Sequence, residues 1–195
     1  MQEKVISRGS IFELVQLPQP DGRIFEVARR APGVRLIIHD EESRKVLLTR
    51  EFRRELGDYD YRLPGGKVFD TLDEFAEFRK SGDDMLEAAR SKASEEAKEE
   101  AGIDVGNVEF YYTSKLGTTV EWDLYVFETS DWKVRQSGQE LGDGEDISAE
   151  DWFSYEEVRR LALDGAMQED RVAMVLMRWL EERVGFESKL FLNKT

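Results

Sequence analysis

Apolar and polar positions alternate through the first quarter of the chain, and the alternation breaks at clusters of turn formers. The period of two predicts strands over Lys4–Ser7, Ile11–Gln16 and Ile24–Arg29, with the Pro-Gln-Pro-Asp-Gly run at 18–22 turning the chain between the last two. Val34–His39 and Lys45–Arg53 predict a strand pair around the turn at Asp40–Arg44. A short strand follows and ends in the Pro-Gly-Gly corner at 64–66. The spacing then changes to that of a helix. Leu72, Phe75, Ala76 and Arg79 predict a short amphipathic helix, and a longer one is expected from Asp83 to Ala101, stopped by Gly102. Strands are expected at Val108–Tyr112 and Glu121–Glu128, then a loop rich in Gly and acid up to Trp152–Phe153. The chain closes with helices over Tyr155–Leu163 and Glu169–Val184, the second with Val172, Val175, Leu176, Trp179 and Leu180 on one stripe. Mixed strands, one central helix and C-terminal helices predict an α+β fold, an α/β/α sandwich with a mixed central sheet preceded by N-terminal strands.

The 195-residue length suits one domain. The boundaries expected are an N-terminal β extension over 1–30 and a main domain over 31–195, with an insertion at about 68–82. Charge narrows the chemistry. Lys+Arg number 28 against Asp+Glu 42, so at a net −14 the basic footprint for nucleic acid is absent. An acidic chain that handles an anionic substrate needs metal ions or a few placed arginines. The lack of cysteine excludes disulfides, thiolate catalysis and zinc–thiolate sites. The single histidine, His39, ends an apolar run and reads as a turn residue. No stretch approaches the ~20 apolar residues of a membrane span, so a soluble, cytoplasmic protein is expected.

The helix expected around residues 89–101 carries most of the candidate chemistry. Ala89, Ala93, Ala97 and Ala101 recur every four residues, a narrow small-residue stripe suited to close packing on a sheet. On a neighbouring face Glu96, Glu99 and Glu100 converge, and Glu95 with Glu99 forms a second pair. Like charges at this spacing each cost ~0.2–0.5 kcal/mol in an isolated helix. Hard oxygen donors in such a cluster suit Mg²⁺ or Mn²⁺, which would relieve the repulsion. The other reading is a solvated acidic face partly neutralised by Lys92 and Lys98.

The surrounding pattern resembles the Nudix box, written Gly, five residues, Glu, seven residues, Arg-Glu, an aliphatic, any residue, Glu-Glu, any residue, Gly, an aliphatic. Residues Glu96 to Ile103 fit its second half position by position, Glu87 stands eight before Glu95, and Gly66 matches the first glycine. The resemblance implies that Glu96, Glu99 and Glu100 hold metal, with Glu96 and Glu99 part of the catalytic apparatus. It also implies that Gly66 supplies a backbone carbonyl or positions the loop. Two departures stand out. Twenty residues separate Gly66 from Glu87 where the box has five, so either 68–82 is inserted or Gly82-Asp83 is the box's Gly-acid pair with an extra helical turn. The box arginine, which orients the metal-binding glutamates in the family, is Glu95 here, with Lys92 or Arg90 one turn back as substitutes.

The flanks are similar to the ADP-ribose pyrophosphatase branch, over roughly 24–182. Phe25 to Val34 and Val46 to Arg53 resemble its segment before the box, and Gly144-Glu145-Asp146-Ile147 resembles the acidic loop that brings in a catalytic carboxylate. This implies Glu145 as general base, with Asp143 and Glu140 as alternates. Arg50 and Arg53 are candidate substrate contacts, Arg53 either as a planar fork for phosphate or in a surface pair with Asp or Glu, the reading that also suits Arg54. Phe25, Tyr111 and Tyr112 are candidates for stacking on a base, or for core or dimer packing. Trp122 is open between these roles, while Trp152 and Trp179 are assigned to packing. The implied activity is metal-dependent cleavage of ADP-ribose or a related nucleoside diphosphate sugar by a homodimer, dependent on Mg²⁺ or Mn²⁺. The alternative is a nucleotide-binding protein of the same fold whose hydrolysis is impaired at Glu95. No nucleic acid or membrane partner is expected.

Overall fold

The computed structural model of the chain describes residues 3–54, 57–142 and 147–192. In chain order their elements are β1 (Lys4–Arg8), β2 (Glu13–Pro18), β3 (Ile24–Arg29), β4 (Gly33–Asp40), β5 (Lys45–Arg53), β6 (Asp58–Arg62), α1 (Leu72–Ser81), α2 (Met85–Ala101), β7 (Ile103–Val105), β8 (Glu109–Ser114), β9 (Val120–Glu121), β10 (Leu124–Thr129), β11 (Trp132–Val134), β12 (Ile147–Ser154), α3 (Tyr155–Leu163) and α4 (Asp170–Leu192). The strands form sheets ordered β1-β2-β3-β9, β12-β5-β4-β10-β8 with β6 also on β5, and β11-β7. Pairing is mixed, since β3 and β9 run parallel while β4, β5, β6 and β12 pair antiparallel. The expected α+β class is what forms. By contact the chain divides into two compact units, one of residues 1–35, 65–93 and 110–127, the other of 36–64, 94–109 and 128–195.

In the first unit, β2 and β3 form a hairpin in register from Glu13 opposite Arg29 to Pro18 opposite Ile24. Its turn uses Gly22 at φ 85°, where a side chain would meet strain. Arg29 is buried and must be neutralised there. Its guanidinium donates to Glu121 at 2.9 Å and to Glu3 at 2.8 Å, with Glu13 at 3.4 Å. These bonds join β1, β2, β3 and β9 around one cation. Hydrogen bonds from Arg29 hold the Glu3 carboxyl down to about 2. The expected insertion carries α1. Thr71 caps it by accepting the Glu74 N–H at 3.1 Å, and Gly82 ends it in the left-handed region. The Phe69 ring stacks near Phe75 and Phe78, and Asp73 pairs with Arg8 at 2.7 Å. The α1 segment is thereby anchored to β1.

The second unit is built on β5, which pairs with β4, β6 and β12. Ser154 and Glu157 form a capping box at the start of α3. The stripe expected on the last helix is buried throughout at Val172, Val175, Leu176, Trp179 and Leu180. Three expectations need correction. His39 is not in the turn: it is the penultimate residue of β4 and 2% exposed. The turn begins one residue later, where the Asp40 carboxylate accepts the Glu42 and Ser43 N–H groups. The single strand expected over Glu121–Glu128 is two, β9 and β10, because each serves a different sheet. The Gly- and acid-rich loop ends earlier, as β12 begins at Ile147 and pairs with β5 through a register shift between Ser148 and Asp151 that blurs its alternation. The three-residue strands β7 and β11 are too short to leave a period.

His39 packs edge-on against Trp179, with centroids 5.1 Å apart, and its Nε2 lies 3.9 Å from Glu128. Glu128 accepts the Trp179 indole N–H at 2.6 Å and a hydrogen bond from Arg183. Burial first, and Arg183 second, push the imidazole below the ordinary 6.5. On acidification the unfolded chain therefore binds this proton before the folded chain does, and stability falls as pH drops below about 6.5. With one histidine and no cysteine, no other side chain of ordinary pKa titrates near pH 6. Denaturant midpoints measured between pH 7.5 and 5.5 should fall, and His39→Gln should flatten that slope even if it lowers the midpoint throughout.

Candidate active site

Helix α2 begins after Asp84, whose carboxylate accepts the Leu86 N–H at 2.8 Å, and ends at Gly102 with φ 62°. Its alanine stripe is buried as spaced: Ala89, Ala93 and Ala97 have no exposure and Ala101 is 9% exposed. The carboxylates beside the stripe differ sharply from one another. Glu96 is 7% exposed, Glu99 and Glu100 are half-buried, and Glu95 faces solvent. A uniformly solvated acidic face would leave all four in water, and three of them are not.

The C-terminal turn of α2 is held, within the second unit, by the chain that leads into the acidic loop. Gly102 packs so closely on Gly138 that a Cβ would lie 2.8 Å from its carbonyl carbon. The Glu140 N–H donates to the Glu99 carbonyl at 2.9 Å. The Gln139 side chain donates to the carbonyls of Glu100 and Ile147, bridging the helix end to the far side of the loop. Both flanks of that loop are thus fixed at the turn that bears Glu99 and Glu100. Glu145 and Asp143, the candidate bases, lie outside the described residues. Glu140 is described, and its carboxylate pairs with Arg135 at 2.9 Å.

The arginines in the second unit separate by face. Arg53 lies 3.2 Å from Glu51 and 3.9 Å from buried Asp60. Arg62 bonds to the same Glu51 and lies 3.6 Å from Asp60. Burial raises the Asp60 carboxyl above its usual range, against the N–H it accepts from Gln168. Arg50 makes no side-chain hydrogen bond or ion pair among the described residues, and its guanidinium lies 4.5 Å from the Tyr59 ring centroid. Arg53 is therefore committed to carboxylates, and Arg50 is the more available cation. Asp60 and Tyr59 carry no sequence signal of their own, because their roles arise from the cross-strand register that sets them opposite Glu51 and Phe52.

The first unit holds Gly66, Phe25 and Tyr112. The Gly66 carbonyl accepts the Val34 N–H at 2.9 Å, and the buried Arg35 donates to the Gly65 carbonyl at 2.6 Å. Gly65 has φ 147°, and a Cβ there would lie 2.2 Å from the Val34 oxygen. Phe25 is half exposed beside a cavity of about 360 Å³ lined by Gln16, Ile24, Glu26, Thr118 and Thr119. Tyr112 is half-buried, its ring 6.4 Å from Tyr111. Trp122 lies under the Arg30 guanidinium at 4.1 Å, Trp152 stacks on Trp132 at 4.6 Å, and Trp179 is 1% exposed.

Among the described residues no group of three or more His, Asp or Glu side chains stands close enough together to hold a metal ion. What the α2 glutamates offer a metal ion is hard oxygen donors at helical spacing. On those grounds they fit a hard divalent cation, since Glu96 is a carboxylate withdrawn from water on a face that repeats at i+3 and i+4.

A family model described as the NUDIX domain matches residues 29–175, which contain α2, both β5–β6 faces and the acidic loop. The chain belongs to the Nudix family. By class it is a Nudix pyrophosphohydrolase, a hydrolase of nucleoside diphosphate derivatives. No curated protein sequence matches it. Among solved structures, one described as the crystal structure of an ADP compounds hydrolase is similar with a TM-score of 0.61 and 18% identity over 94% of each chain, a likeness of fold. No described helix of this Nudix chain is long and apolar enough to cross a membrane.

The Pro-Gly-Gly corner gives a direct test of the packing. Gly65→Ala is expected to cost at least ~1–3 kcal/mol from backbone conformation alone. At this size that lowers the thermal midpoint by roughly 2–4 °C per kcal/mol, while Gly117→Ala, a control also at positive φ but in open space, should cost less.

Proposed function

We propose that this protein hydrolyses ADP-ribose or a related nucleoside diphosphate sugar, with Mg²⁺ or Mn²⁺, to a nucleoside monophosphate and a sugar phosphate. The observation that carries the proposal is the half-box on α2, where Glu96 is buried and Glu99 and Glu100 are half-buried inside the matched Nudix segment. Glu96, Glu99 and Glu100 would hold the cation, with the corner at Gly66 as a further contributor. Bound there, a divalent ion supplies charge neutralisation on the pyrophosphate oxygens and acidifies water. The remaining tasks fall to the chain. Arg50 draws the diphosphate by charge, with Arg53 the second candidate. Phe25 and Tyr112 are candidates to stack on the base. A loop carboxylate, Glu145 first, accepts a proton from the attacking water as oxygen bonds to phosphorus and the bridging P–O bond breaks, the bridging oxygen leaving with the second phosphate. Asp143 is the alternate base. Glu140 ranks lower because Arg135 already engages it.

A homodimer is part of the same proposal, with the 1–30 extension and the C-terminal helices as the candidate contacts. Val5, Ile6, Ile11 and Phe12 in the extension are exposed by between 39% and 53%, enough apolar surface to favour a partner. The second reading, a binder with impaired hydrolysis, is favoured by one observation: Glu95 faces solvent, where an arginine that orients the glutamates would be of use only if turned inward.

Release of nucleoside monophosphate from ADP-ribose and a panel of nucleoside diphosphate sugars, with Mg²⁺, Mn²⁺ or chelator, tests the main reading. Absence of metal-dependent turnover across the panel sinks it. Glu96→Gln and Glu100→Gln are each expected to lower kcat/KM by more than the ~10–100-fold typical of losing an outer partner of a metal ligand. Glu95→Arg separates the two readings. A large gain in kcat says that the native site is impaired, and no gain says that orientation is supplied by other residues.

A further inference from the structure

Strands β5 and β6 present two unlike faces. Arg50 pairs opposite Tyr61, Glu51 opposite Asp60 and Phe52 opposite Tyr59, so alternation places Arg50, Phe52, Tyr59 and Tyr61 together on one side. On the opposite side Glu51 and Asp60 are paired with Arg53 and Arg62, and Asp58 lies opposite Arg53 at the strand end, so both cations there already have carboxylate partners. The aromatic side differs. Phe52 and Tyr59 meet edge to face at 5.3 Å, and they remain 37% and 43% exposed. Arg50 lies diagonally across on the Tyr59 ring, at 4.5 Å, and makes no side-chain hydrogen bond or ion pair among the described residues.

That last feature is unusual in its setting. The chain has 42 carboxylates to 28 basic side chains, so a guanidinium without a carboxylate partner among the described residues stands out on charge grounds alone. Its buried Nε has no hydrogen-bond partner. Stacking on Tyr59 holds the guanidinium plane by its face and leaves the terminal N–H groups at its edge for an acceptor. A ligand complementary to this surface has a flat ring to cover exposed Tyr59 and Phe52, and an anionic group to meet Arg50. A nucleotide has both, joined by a sugar.

We propose that the Arg50–Phe52–Tyr59 face is the stacking platform for the base of a nucleotide whose phosphate is held by Arg50. The choice of a nucleotide rests on the hydrolase reading above, while the need for a planar, anionic ligand follows from the face itself. Stacking on an aromatic ring tolerates any base, so the platform sets class and not base identity. It makes Tyr59 and Phe52 the residues that stack on the base, in place of Phe25 and Tyr112, the candidates in the first unit.

The test is binding of AMP, adenosine and ribose 5-phosphate to the full chain by calorimetry, in chelator so that no turnover or metal bridging contributes. Tyr59→Ala is expected to weaken AMP and adenosine by about tenfold and to leave ribose 5-phosphate unchanged. Arg50→Gln should weaken AMP and ribose 5-phosphate, spare adenosine, and reduce the salt dependence of AMP binding. Tyr59→Leu, which keeps apolar bulk without the ring face, guards against misfolding of the alanine variant and should weaken AMP nearly as much. Equal AMP affinity in wild type and both Tyr59 variants overturns the platform, as does a wild type that does not bind AMP. Turnover assays keep the two ideas apart. Hydrolysis of ADP-ribose with AMP binding indifferent to Tyr59 removes the platform alone, and Tyr59-dependent AMP binding without hydrolysis removes the enzyme reading alone.

Discussion

A single helix in this protein has to bury one narrow stripe and keep negative charge on the stripe beside it. Alanine at four-residue intervals meets the first demand, and the complete burial of Ala89, Ala93 and Ala97 shows how little room there is. Larger side chains would lift the helix, and the register of everything attached to its end would move with it. The second demand works against folding, because Glu96 loses water while its neighbours repel it. The arrangement is tolerable where the carboxylates serve an ion or fixed partners. Its end is then clamped by contacts that involve no charge, the close approach of Gly102 to Gly138 and the side-chain bridge of Gln139.

Charge is managed in the rest of the chain by the same economy. In a chain of net −14 acids are plentiful, and buried Arg29 gathers three of them from three separate segments. The β5–β6 pair repeats the solution with Arg53 and Arg62 on Glu51 and Asp60. Such networks fix strand register as well as charge, since a slip of one residue would put each arginine on the wrong face. Arg50 departs from that economy. A protein that must attract a polyanion against its own overall field needs at least one cation that its own acids have not claimed.

How much was legible in the sequence depended on whether a feature had a period. The helix stripes at Ala89–Ala101 and Val172–Leu180 were readable because they repeat with the helical turn, and both are buried as spaced. The half-box from Glu96 to Ile103 was readable as a family pattern, but the pattern says nothing of exposure, and the outward orientation of Glu95 became apparent only in three dimensions. β12 was missed because its bulge interrupts the alternation and acidic residues fill the gap. His39 was misplaced since nothing local distinguishes the last buried strand residue from the first turn residue; contact with Trp179, 140 positions away, decides it. The pairing of Arg53 with Asp60, and the freedom of Arg50 from such pairing, are likewise properties of a cross-strand register that one strand alone does not encode.

The Gly65 contact with the Val34 carbonyl leaves no volume for any side chain. A position of that kind is closed to gradual change, because every substitution meets the same backbone oxygen before its chemistry matters. Tolerance to substitution has to lie elsewhere along the chain. In this protein that begins within a few residues, in the segment that carries α1, which is fastened to the N-terminal strand by Arg8 and Asp73. A corner closed to every side chain is thus followed by a helix held through a surface ion pair and a cluster of phenylalanines, contacts that substitution can exchange one at a time.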